Sequence, residues 1–562
     1  MRRTGLKFCI NLLLIMAAHL MLAGTGRAQH GTVRSFQKIS DTAGNFLEPL
    51  LNGDEMGGAV CDLGDLDGSG PSVRAIAVGA TLDDDGGVNK GCVYIMFLAA
   101  NGTVLSYQTI SNTRGNFLEP LVSGDEFGSS IANLGDLDGA GPSVRAIAVG
   151  AIGDDDGGID RGAVYILFLA ANGTVLSYKA ITDTQGNFNY PLDNLDQFGD
   201  CVAALGDLDG PGPSVAALAV GAPGDDDGGT DRGAMYILFL DDAGNVLSSQ
   251  KISATAGGFT YPLVNADAFG SSTAPLGDLG KAVPSAGVLA VGVPGNDDGG
   301  VDRGAVFVQF LAKTGNVLSY KKISSTSGNF TQTLHNLDEF GGALARLRDL
   351  DGPGPSVIAL AVGAVGDDDG GVDRGAAYVL FLDSGGSVLS SQKISSTAGN
   401  FTGTIDDDDA FGSSLAALGD LDGPGNSMET LVIGATGDDD GGLDHGAVYV
   451  TFLNGYAGPV AVPGPPGATA GFLGGARPNP FRGGTTIPFR IADAAPVRID
   501  ILDVNGRLVR TLVRESVGPG DHEIAWDGLD DAGRRLAPGA YAIRMSVKGR
   551  AVYAARGTIL LK

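Results

Sequence analysis

The chain has 562 residues, including 91 Gly and 25 Pro, and its formal net charge is −28. Glycine is far below one residue in three, which excludes collagen, and an apolar fraction of 43% excludes wholesale disorder. A nucleic-acid binder needs positive charge to neutralise phosphates, so the net charge argues against that class. Abundant glycine with many apolar residues indicates short β-strands separated by tight turns.

The N-terminus has the three-part pattern of a secretory signal peptide. A basic region at residues 2–7 precedes a mostly apolar stretch at residues 8–22, and small residues at 24–28 provide a cleavage site. The apolar stretch is short for a membrane span. We therefore predict a signal peptide over residues 1–28 and a secreted mature chain without a transmembrane span.

A unit of 71 residues then recurs six times without insertion or deletion. The same interval relates six Phe-Gly or Met-Gly pairs and six glycines that follow an apolar run. Such a fixed period is typical of repeat architectures. The tetrapeptide Asp-Leu-Asp-Gly begins at Asp65, Asp136, Asp207, Asp349 and Asp420, with a degenerate copy at Asp278.

Each repeat has the pattern of four short strands. In the second copy the strands are predicted over residues 129–134, 146–149, 163–169 and 175–181, and Asn-Gly between the last two is a hairpin signal. Four antiparallel strands per unit, repeated radially, form the blade of a β-propeller.

The two ends of the array complement each other. The last copy stops after its third strand, and residues 36–40 align with residues 107–111, a fourth strand, at the same interval of 71. The N-terminal strand is therefore predicted to complete the last blade, which closes the ring and removes two exposed edges. A solenoid is the alternative, but it has no need of this permuted end. We predict an all-β protein with a six-bladed β-propeller over residues 29–453.

Composition changes after the propeller. Residues 454–476 are rich in Gly, Pro and Ala, which predicts a linker. Residues 477–562 carry 14 Lys and Arg against 9 Asp and Glu. Their alternating stretches predict a small immunoglobulin-like β-sandwich.

The repeats resemble the FG-GAP family, represented by the propeller of integrin α-subunits. The resemblance rests on Phe127-Gly128 and its equivalents and on Gly221-Ala222-Pro223, and it covers about residues 36–453. It implies a propeller, extracellular placement, and adhesion to an extracellular protein or glycan ligand. Family propellers often have seven blades, but the six copies favour six.

The C-terminal residues resemble the immunoglobulin-like module of FlgD type and the sorting domains of type IX secretion. The resemblance implies a domain read by an export or surface-attachment machinery. The matching segments are Pro478-Asn479-Pro480-Phe481, Thr485-Thr486-Ile487, Val504-Asn505-Gly506-Arg507, Trp526-Asp527-Gly528 and Pro538-Gly539-Ala540-Tyr541.

By resemblance, the Asp-Leu-Asp-Gly loop is the family's calcium loop, with Asp at positions one, three, five and nine. Here only the first two remain; in the third copy the later ligands are replaced by Pro211 and Ala217. Two carboxylates are too few for tight Ca²⁺ unless carbonyls, waters or hydroxyls such as that of Ser214 complete the shell. The alternative is that these aspartates cap turns. The candidate Ca²⁺ ligands are Asp65, Asp67, Asp136, Asp138, Asp207, Asp209, Asp349, Asp351, Asp420 and Asp422.

A second acidic sequence, Asp-Asp-Asp-Gly-Gly, lies between the second and third strands of most repeats. In an up-and-down blade this loop opens on the face opposite the first loop. It is interpreted either as a solvated face that maintains solubility or as a surface for divalent cations or a basic partner. The first aspartates are Asp83, Asp154, Asp225, Asp367 and Asp438, and the fourth copy has Asn296.

Three cysteines follow the signal peptide, and an odd number cannot pair completely. Cys61 and Cys92 share a repeat and could pair, but with Cys201 they are better interpreted as single buried thiols.

Enzyme signatures are missing from the sequence. His335 and His445 are single substitutions within their repeats, no His-Glu-x-x-His or Gly-x-Ser-x-Gly site with partners occurs, and the only Trp, Trp526, lies outside the propeller. We therefore expect a non-catalytic binding or adhesion protein. The alternatives are a structural surface-layer protein and an extracellular hydrolase that uses Asp residues on one propeller face.

Overall fold

The computed structural model describes residues 30–560, apart from 69, 140, 280–284, 353, 355, 424–426, 457–470, 474–475, 477–480, 482, 492–493, 503–506, 519, 538 and 548–549. The chain divides into two compact units, Met1–Tyr456 and Ala457–Lys562. The predicted signal peptide and most of the predicted linker lie outside the described residues.

The described part of the first unit contains six four-stranded antiparallel sheets, numbered here in chain order. Sheets one to three consist of β2 (Met56–Gly64), β3 (Arg74–Ala80), β4 (Cys92–Leu98) and β5 (Val104–Ile110); β6 (Phe127–Gly135), β7 (Arg145–Ala151), β8 (Ala163–Leu169) and β9 (Val175–Ile181); and β10 (Val202–Gly206), β11 (Ala216–Ala222), β12 (Ala234–Leu240) and β13 (Val246–Ser253).

Sheets four to six follow the same order, except that the sixth takes its outer strand from the N-terminus. They consist of β14 (Ser272–Gly277), β15 (Gly287–Val293), β16 (Ala305–Leu311) and β17 (Val317–Ser324); β18 (Leu344–Leu347), β19 (Ile358–Ala364), β20 (Ala376–Leu382) and β21 (Val388–Ile394); and β22 (Phe411–Gly419), β23 (Glu429–Ala435), β24 (Ala447–Leu453) and β1 (Val33–Ile39).

Burial explains why the middle strands are almost wholly apolar. Every residue of β8 is buried, because neighbouring sheets cover both of its faces. The outer strand β9 is buried only at its ends, and its Leu176 and Ser177 are exposed. The predicted bounds of these two strands agree with the structure.

The first strands of the six sheets contact one another in a closed order. β2 contacts β6, β6 contacts β10, and the series continues through β14, β18 and β22 back to β2. The sheets are therefore arranged around a common axis, which makes the unit propeller-like.

The N-terminal strand closes the last sheet. β1 pairs with β24 in antiparallel register, with Lys38 opposite Tyr449 and Ile39 opposite Val448. The Asn454 N–H also donates to the Thr32 carbonyl at 2.8 Å. The edge that the missing fourth strand would leave on sheet six is thus covered.

Two glycines per repeat allow adjacent sheets to approach closely. A Cβ at Gly221 would lie 1.9 Å from the Gly270 carbonyl oxygen of the next sheet. Gly270 itself has a φ of +100° and donates its N–H to the Gly292 carbonyl at 3.1 Å. The recurring glycines after Phe and before Ala therefore mark backbone contacts between sheets, which a side chain would prevent.

The second unit contains two sheets around one core. One has the order β25 (Gly471–Leu473), β26 (Thr485–Ile491), β29 (Gly520–Trp526), and the other β28 (Leu508–Val517), β27 (Ala495–Leu502), β30 (Gly539–Val547), β31 (Arg550–Leu560).

Ile487 from the first of these sheets and Ile499 and Ile543 from the second belong to one buried cluster, as expected for a sandwich. Trp526 is 1% exposed within it and donates its Nε1–H to the Leu529 carbonyl at 3.1 Å. The strand β25 lies inside the predicted linker, so the sandwich begins earlier than its sequence pattern indicated.

Candidate functional site

The second aspartate of each intact Asp-Leu-Asp-Gly loop binds a serine five residues later. Its Oδ1 accepts a hydrogen bond from the serine hydroxyl, at 2.6–2.7 Å in the four pairs Asp67–Ser72, Asp138–Ser143, Asp209–Ser214 and Asp422–Ser427. Asp351 and Ser356 form the fifth pair. The carboxylate thereby holds the loop between the first two strands of its sheet.

The first aspartate of the loop is more exposed. Asp207 Oδ1 accepts the Gly210 N–H at 2.8 Å, and Asp349 Oδ1 accepts the Gly352 N–H at 3.0 Å. Partial burial and the neighbouring Asp351 carboxylate raise the pKa of Asp349 to about 6. The loops thus bring the predicted ligands together in pairs, and among the described residues no group of three or more His, Cys, Asp or Glu is arranged to hold a metal ion.

The three aspartates of the second acidic loop have different partners. In sheet three, Asp225 is buried and accepts the Tyr236 hydroxyl at 2.9 Å. The exposed Asp226 accepts the backbone N–H of Asp231 at 2.9 Å. Asp227 accepts the Ser253 hydroxyl at 2.8 Å. The acidic sequence therefore forms a hydrogen-bonded turn, in which only the middle side chain is exposed to solvent.

A lysine from the outer strand lies between the first and third aspartates. The Lys251 ammonium is 2.8 Å from Asp225 and 3.1 Å from Asp227. Burial opposes the charge of Lys251, but hydrogen bonds to the two carboxylates outweigh it and raise its pKa. Lys393 in sheet five and Lys38 in sheet six make the same pair of contacts.

The fourth sheet keeps the lysine although the other groups change. Lys322 lies 3.0 Å from Asp298 and donates to the Asn296 amide oxygen at 2.7 Å. Sheets one and two differ, because the equivalent positions hold Thr109 and Ala180. These two sheets retain the acidic residues without the lysine.

A channel runs between the six first strands, and its two mouths carry different charges. One mouth is lined by Asp62 and Arg346 among others, and Arg74 binds Asp62 through two contacts of 2.7 Å. The other mouth is lined by Asp200 and Glu339. That second mouth opens on the face of the Asp-Asp-Asp-Gly-Gly loops, because the chain entering each first strand hydrogen-bonds to those loops.

Asp200 is half-buried at this second mouth. Burial raises its pKa to about 7, and the negative charge of Glu126 adds to the shift. The pKa values of Glu55, Glu126 and Glu339 are also raised, by burial and then by neighbouring carboxylates. The face and its mouth form one negatively charged surface, called here the acidic face.

The three described cysteines are unpaired. Cys201 replaces a serine of other repeats and donates its thiol to the Gly270 carbonyl at 3.0 Å, as Ser130 does to the Gly199 carbonyl at 2.6 Å. Cys92 and Cys201 are buried as predicted, whereas Cys61 is only partly buried, and this burial raises the pKa of its thiol to about 12. These thiols therefore serve packing and contacts between sheets.

The sequence does not directly indicate that a lysine and a tyrosine bind the second acidic loop. Asp225 and Tyr236 are 11 residues apart, and Ser253 lies 26 residues after Asp227. The repeat did contain a signal for the lysine, because lysine recurs at the same position of the outer strand in four of the six repeats. His445 was also interpreted as isolated, but it is buried and lies 3.1 Å from both Asp41 and Asn52.

Comparison with protein families identifies the second unit. The family model described as FlgD Ig-like domain matches residues 477–550. These residues are a FlgD Ig-like domain. The match agrees with the two-sheet arrangement around Trp526. A search of curated proteins gave no match.

The chain is also similar to several solved structures. PorZ, a surface component of the type IX secretion system of Porphyromonas gingivalis, is 14% identical with a TM-score of 0.26, over 90% of this chain and 51% of PorZ. The chain thus spans about half the length of that protein. Latent PorU of the same organism is 12% identical with a TM-score of 0.17, over 82% of this chain and 36% of PorU.

A glycoside hydrolase family 43 arabinoxylan arabinofuranohydrolase from Bacillus subtilis is 10% identical with a TM-score of 0.27, over 92% of this chain and 98% of that one. These TM-scores are too low to establish a shared fold. Within the described ranges, no helix has the length and hydrophobicity needed to span a membrane.

Proposed function

We propose that the protein is a secreted or cell-surface, non-catalytic binding protein. Its first unit is a six-bladed β-propeller of FG-GAP type that binds an extracellular partner, and its FlgD Ig-like domain serves export or attachment to the surface. The signal-peptide pattern of residues 1–28 and the match over residues 477–550 support the location. The closed order of contacts among the six first strands supports the propeller.

The observation that carries the binding role is the acidic face. Six loops present an exposed middle aspartate in the same direction, around a channel mouth with Asp200 and Glu339. Such a field attracts cationic groups and repels anions. The partner chemistry that fits this face is a protein or glycan that carries positive charge.

The negative charge of the acidic face can be reduced with a substitution that the first sheet already contains. Asp160, Asp231, Asp302 and Asp373 have positive φ, and the first sheet has Asn89 at the same position with a φ of 49°. Asn tolerates this backbone region, so replacing these aspartates and Asp444 by Asn removes five charges with little strain.

The test compares this five-site variant with the wild type for binding to immobilised polylysine. We expect at least tenfold weaker binding for the variant and a steep decrease of wild-type binding with salt. The control is Asp242→Asn, which removes an exposed carboxylate from a hairpin on the opposite face. Equal binding by the five-site variant and the control would contradict the proposed surface.

Export through the FlgD Ig-like domain is tested by location. A chain truncated at Gly475 is expected to lose surface attachment while its propeller still binds polylysine. A truncated chain that stays on the surface would contradict the role of the domain. Hydrolysis of a broad glycan and phosphoester panel, lost on neutralising the acidic face, would contradict the non-catalytic role.

A further inference from the structure

Four sheets show how this fold binds an ammonium group. In sheets three, five and six, a lysine Nζ lies 2.6–3.1 Å from both the first and the third aspartate of the acidic loop. In sheet four, Asn296 replaces the first aspartate and the lysine is still bound. The loop is therefore a recurring receptor for a primary ammonium.

Sheet one has the receptor without its lysine. Thr109 occupies the lysine position, and Asp83 still accepts the Tyr94 hydroxyl at 3.0 Å, as its counterparts do in other sheets. Where the lysine side chain would lie, the structure has a cavity of about 270 Å³. Its lining includes Asp54, Asp83, Asp85, Tyr94 and Thr109, and we call it the sheet-one pocket.

Asp54 adds a buried carboxylate to this pocket, beside Asp83 and Asp85. It is 3% exposed and lines the cavity, and its Oδ2 accepts the Leu51 N–H at 2.7 Å. No hydrogen bond to its Oδ1 is present among the described residues, and the Oδ1 atoms of Asp125 in sheet two and Asp338 in sheet five are likewise unpartnered. Burial raises the pKa of Asp54 to about 6, and Asp83 adds to the shift. A carboxylate so buried is costly to ionise without a cation beside it.

The equivalent aspartates of the lysine-bearing sheets also have raised pKa values, about 7 for Asp196 and Asp409 and about 6 for Asp338, and they differ from Asp54 only in which cation lies nearby. The charge of Asp196 is favoured by Lys251, that of Asp338 by Lys393, and that of Asp409 by Lys38. Near Asp54 the favourable charge comes from His445, which belongs to sheet six and also contacts Asp41.

Other charged groups around the pocket do not replace the lysine. Arg114 is about half exposed and lies 2.6 Å from Glu48 and 3.4 Å from Asp85. It therefore neutralises the outer side of the pocket, which Asp84 also lines. The inner carboxylates of Asp54 and Asp83 make no ion pair with a described residue.

We propose that the sheet-one pocket binds a primary alkylammonium group, such as the side chain of a lysine presented by a partner. The ligand ammonium takes the place that Lys251 has in sheet three, between Asp83 and Asp85, with its alkyl chain beside Thr109. Binding is strongest above about pH 6, where Asp54 is ionised. The proposal rests on the proposed function, because it names the group that a partner at the acidic face would present.

The first experiment measures binding of n-butylamine to the full chain by calorimetry at pH 7.5, with n-butanol as the neutral control. We expect saturable binding of the amine and none of the alcohol. Thr109→Lys places an ammonium group of the protein itself in the pocket, and it is expected to weaken amine binding at least tenfold. Thr109→Ser leaves the cavity open and is expected to bind as the wild type does.

A second pair of variants tests the receptor itself. Asp83→Asn copies the residue of sheet four and is expected to weaken amine binding at least fivefold while the chain stays folded. Lys251→Thr creates the sheet-one arrangement in sheet three, so n-butylamine is expected to raise its melting temperature more than that of the wild type.

Equal amine affinity in wild type and Thr109→Lys would overturn the proposal, as would Ca²⁺ binding that Thr109→Lys abolishes in a chain that binds no amine. The proposed function fails separately. If polylysine does not bind but n-butylamine binds and Thr109→Lys abolishes that binding, the acidic face is not a docking surface and the pocket is still an ammonium site.

Discussion

The Lys38 ammonium lies 2.7 Å from the Asp438 carboxylate and 2.6 Å from that of Asp440. Lys38 lies in β1, the first described strand of the chain, and both aspartates lie between β23 and β24, at the other end of the propeller-like unit's sequence. Lys251 makes the same contacts within one continuous repeat. The repeated ion pair therefore also joins the N-terminal strand to the last repeat, where the ring of sheets closes.

Lys38→Met is expected to lower the free energy of unfolding by about 3 kcal/mol, because it leaves the buried Asp438 without its cation. The pKa of Lys38 is raised above 10.5 by its two carboxylate partners despite burial. Its contribution is therefore complete below about pH 10 and lost as pH rises through the raised value. Denaturant unfolding at pH 8 and pH 11 measures both effects.

The matched control for this closure is Lys251→Met. It removes the same contacts but frees no terminus, so stability falls while limited proteolysis leaves β13 intact. Lys38→Met is expected to expose β1 to proteolysis as well. Unchanged stability and unchanged cleavage in Lys38→Met would contradict a role of this pair in closing the ring.

Asp125→Asn is expected to change how stability depends on pH. Burial raises the pKa of Asp125 to about 7, with further contributions from Asp154 and Asp155. The folded state therefore holds a proton that the unfolded state releases near pH 4, so the contribution of this group to stability falls as pH rises from 4 to 7. The variant cannot titrate, and above pH 7 it is expected to be more stable than the wild type by about 1 kcal/mol.

Thermal melts between pH 4 and 8 measure this effect. Asp338→Asn is the control, because Lys393 already favours the charge of Asp338 and its pKa is raised only to about 6. Its gain at high pH is expected to be smaller. Parallel pH profiles for Asp125→Asn and the wild type would show that Asp125 is ionised normally.

Gly221→Ala is expected to destabilise the first unit by about 3 kcal/mol, since its Cβ would lie 1.9 Å from the Gly270 carbonyl oxygen and two sheets would have to separate. Gly212→Ala is the control in the same repeat, because its Cβ would meet no atom closer than 3.5 Å. Urea unfolding of the two variants compares them. Equal stabilities would contradict the close approach of the sheets.

The calcium hypothesis is tested at the Asp-Leu-Asp-Gly loop. Ser214→Ala removes the hydroxyl that donates to Asp209 at 2.6 Å, and it is expected to cost about 1 kcal/mol. We expect wild-type melting temperatures to be equal in Ca²⁺ and in chelator, because this carboxylate already serves the turn. A rise with Ca²⁺ that Asp207→Asn or Asp209→Asn removes would instead assign a calcium site to these loops.

Much of the fold was predictable because the same pattern of strands and turns occurs in six copies along the sequence. The bounds of β8 and β9 followed from an apolar run and an Asn-Gly turn, both local signals. The pairing of β1 with β24 followed from an alignment at the same interval. The first strands were harder, and β6 extends over Phe127–Gly135, beyond the predicted residues, because bulges interrupt its pairing with β7.

The candidate site was less predictable, because its contacts join residues that no local rule relates. The sequence placed the acidic loops on one face but did not indicate that Asp225 would be buried against Tyr236 and Lys251. That contact depends on the register between the third and fourth strands, where Tyr236 lies opposite Lys251.

Alone, the sequence determined the repeat, the strand order within it, the N-terminal closure and the acidic character of two loops. These properties follow from period, hydrophobic pattern and composition, which are local or recur along the chain. Only the tertiary structure decided which carboxylates are neutralised and which are not. The acidic loop of sheet three forms an ion pair with Lys251, whereas the same loop of sheet one borders an open pocket beside Thr109. The difference lies in the neighbouring outer strand, which contacts the loop only in the folded chain.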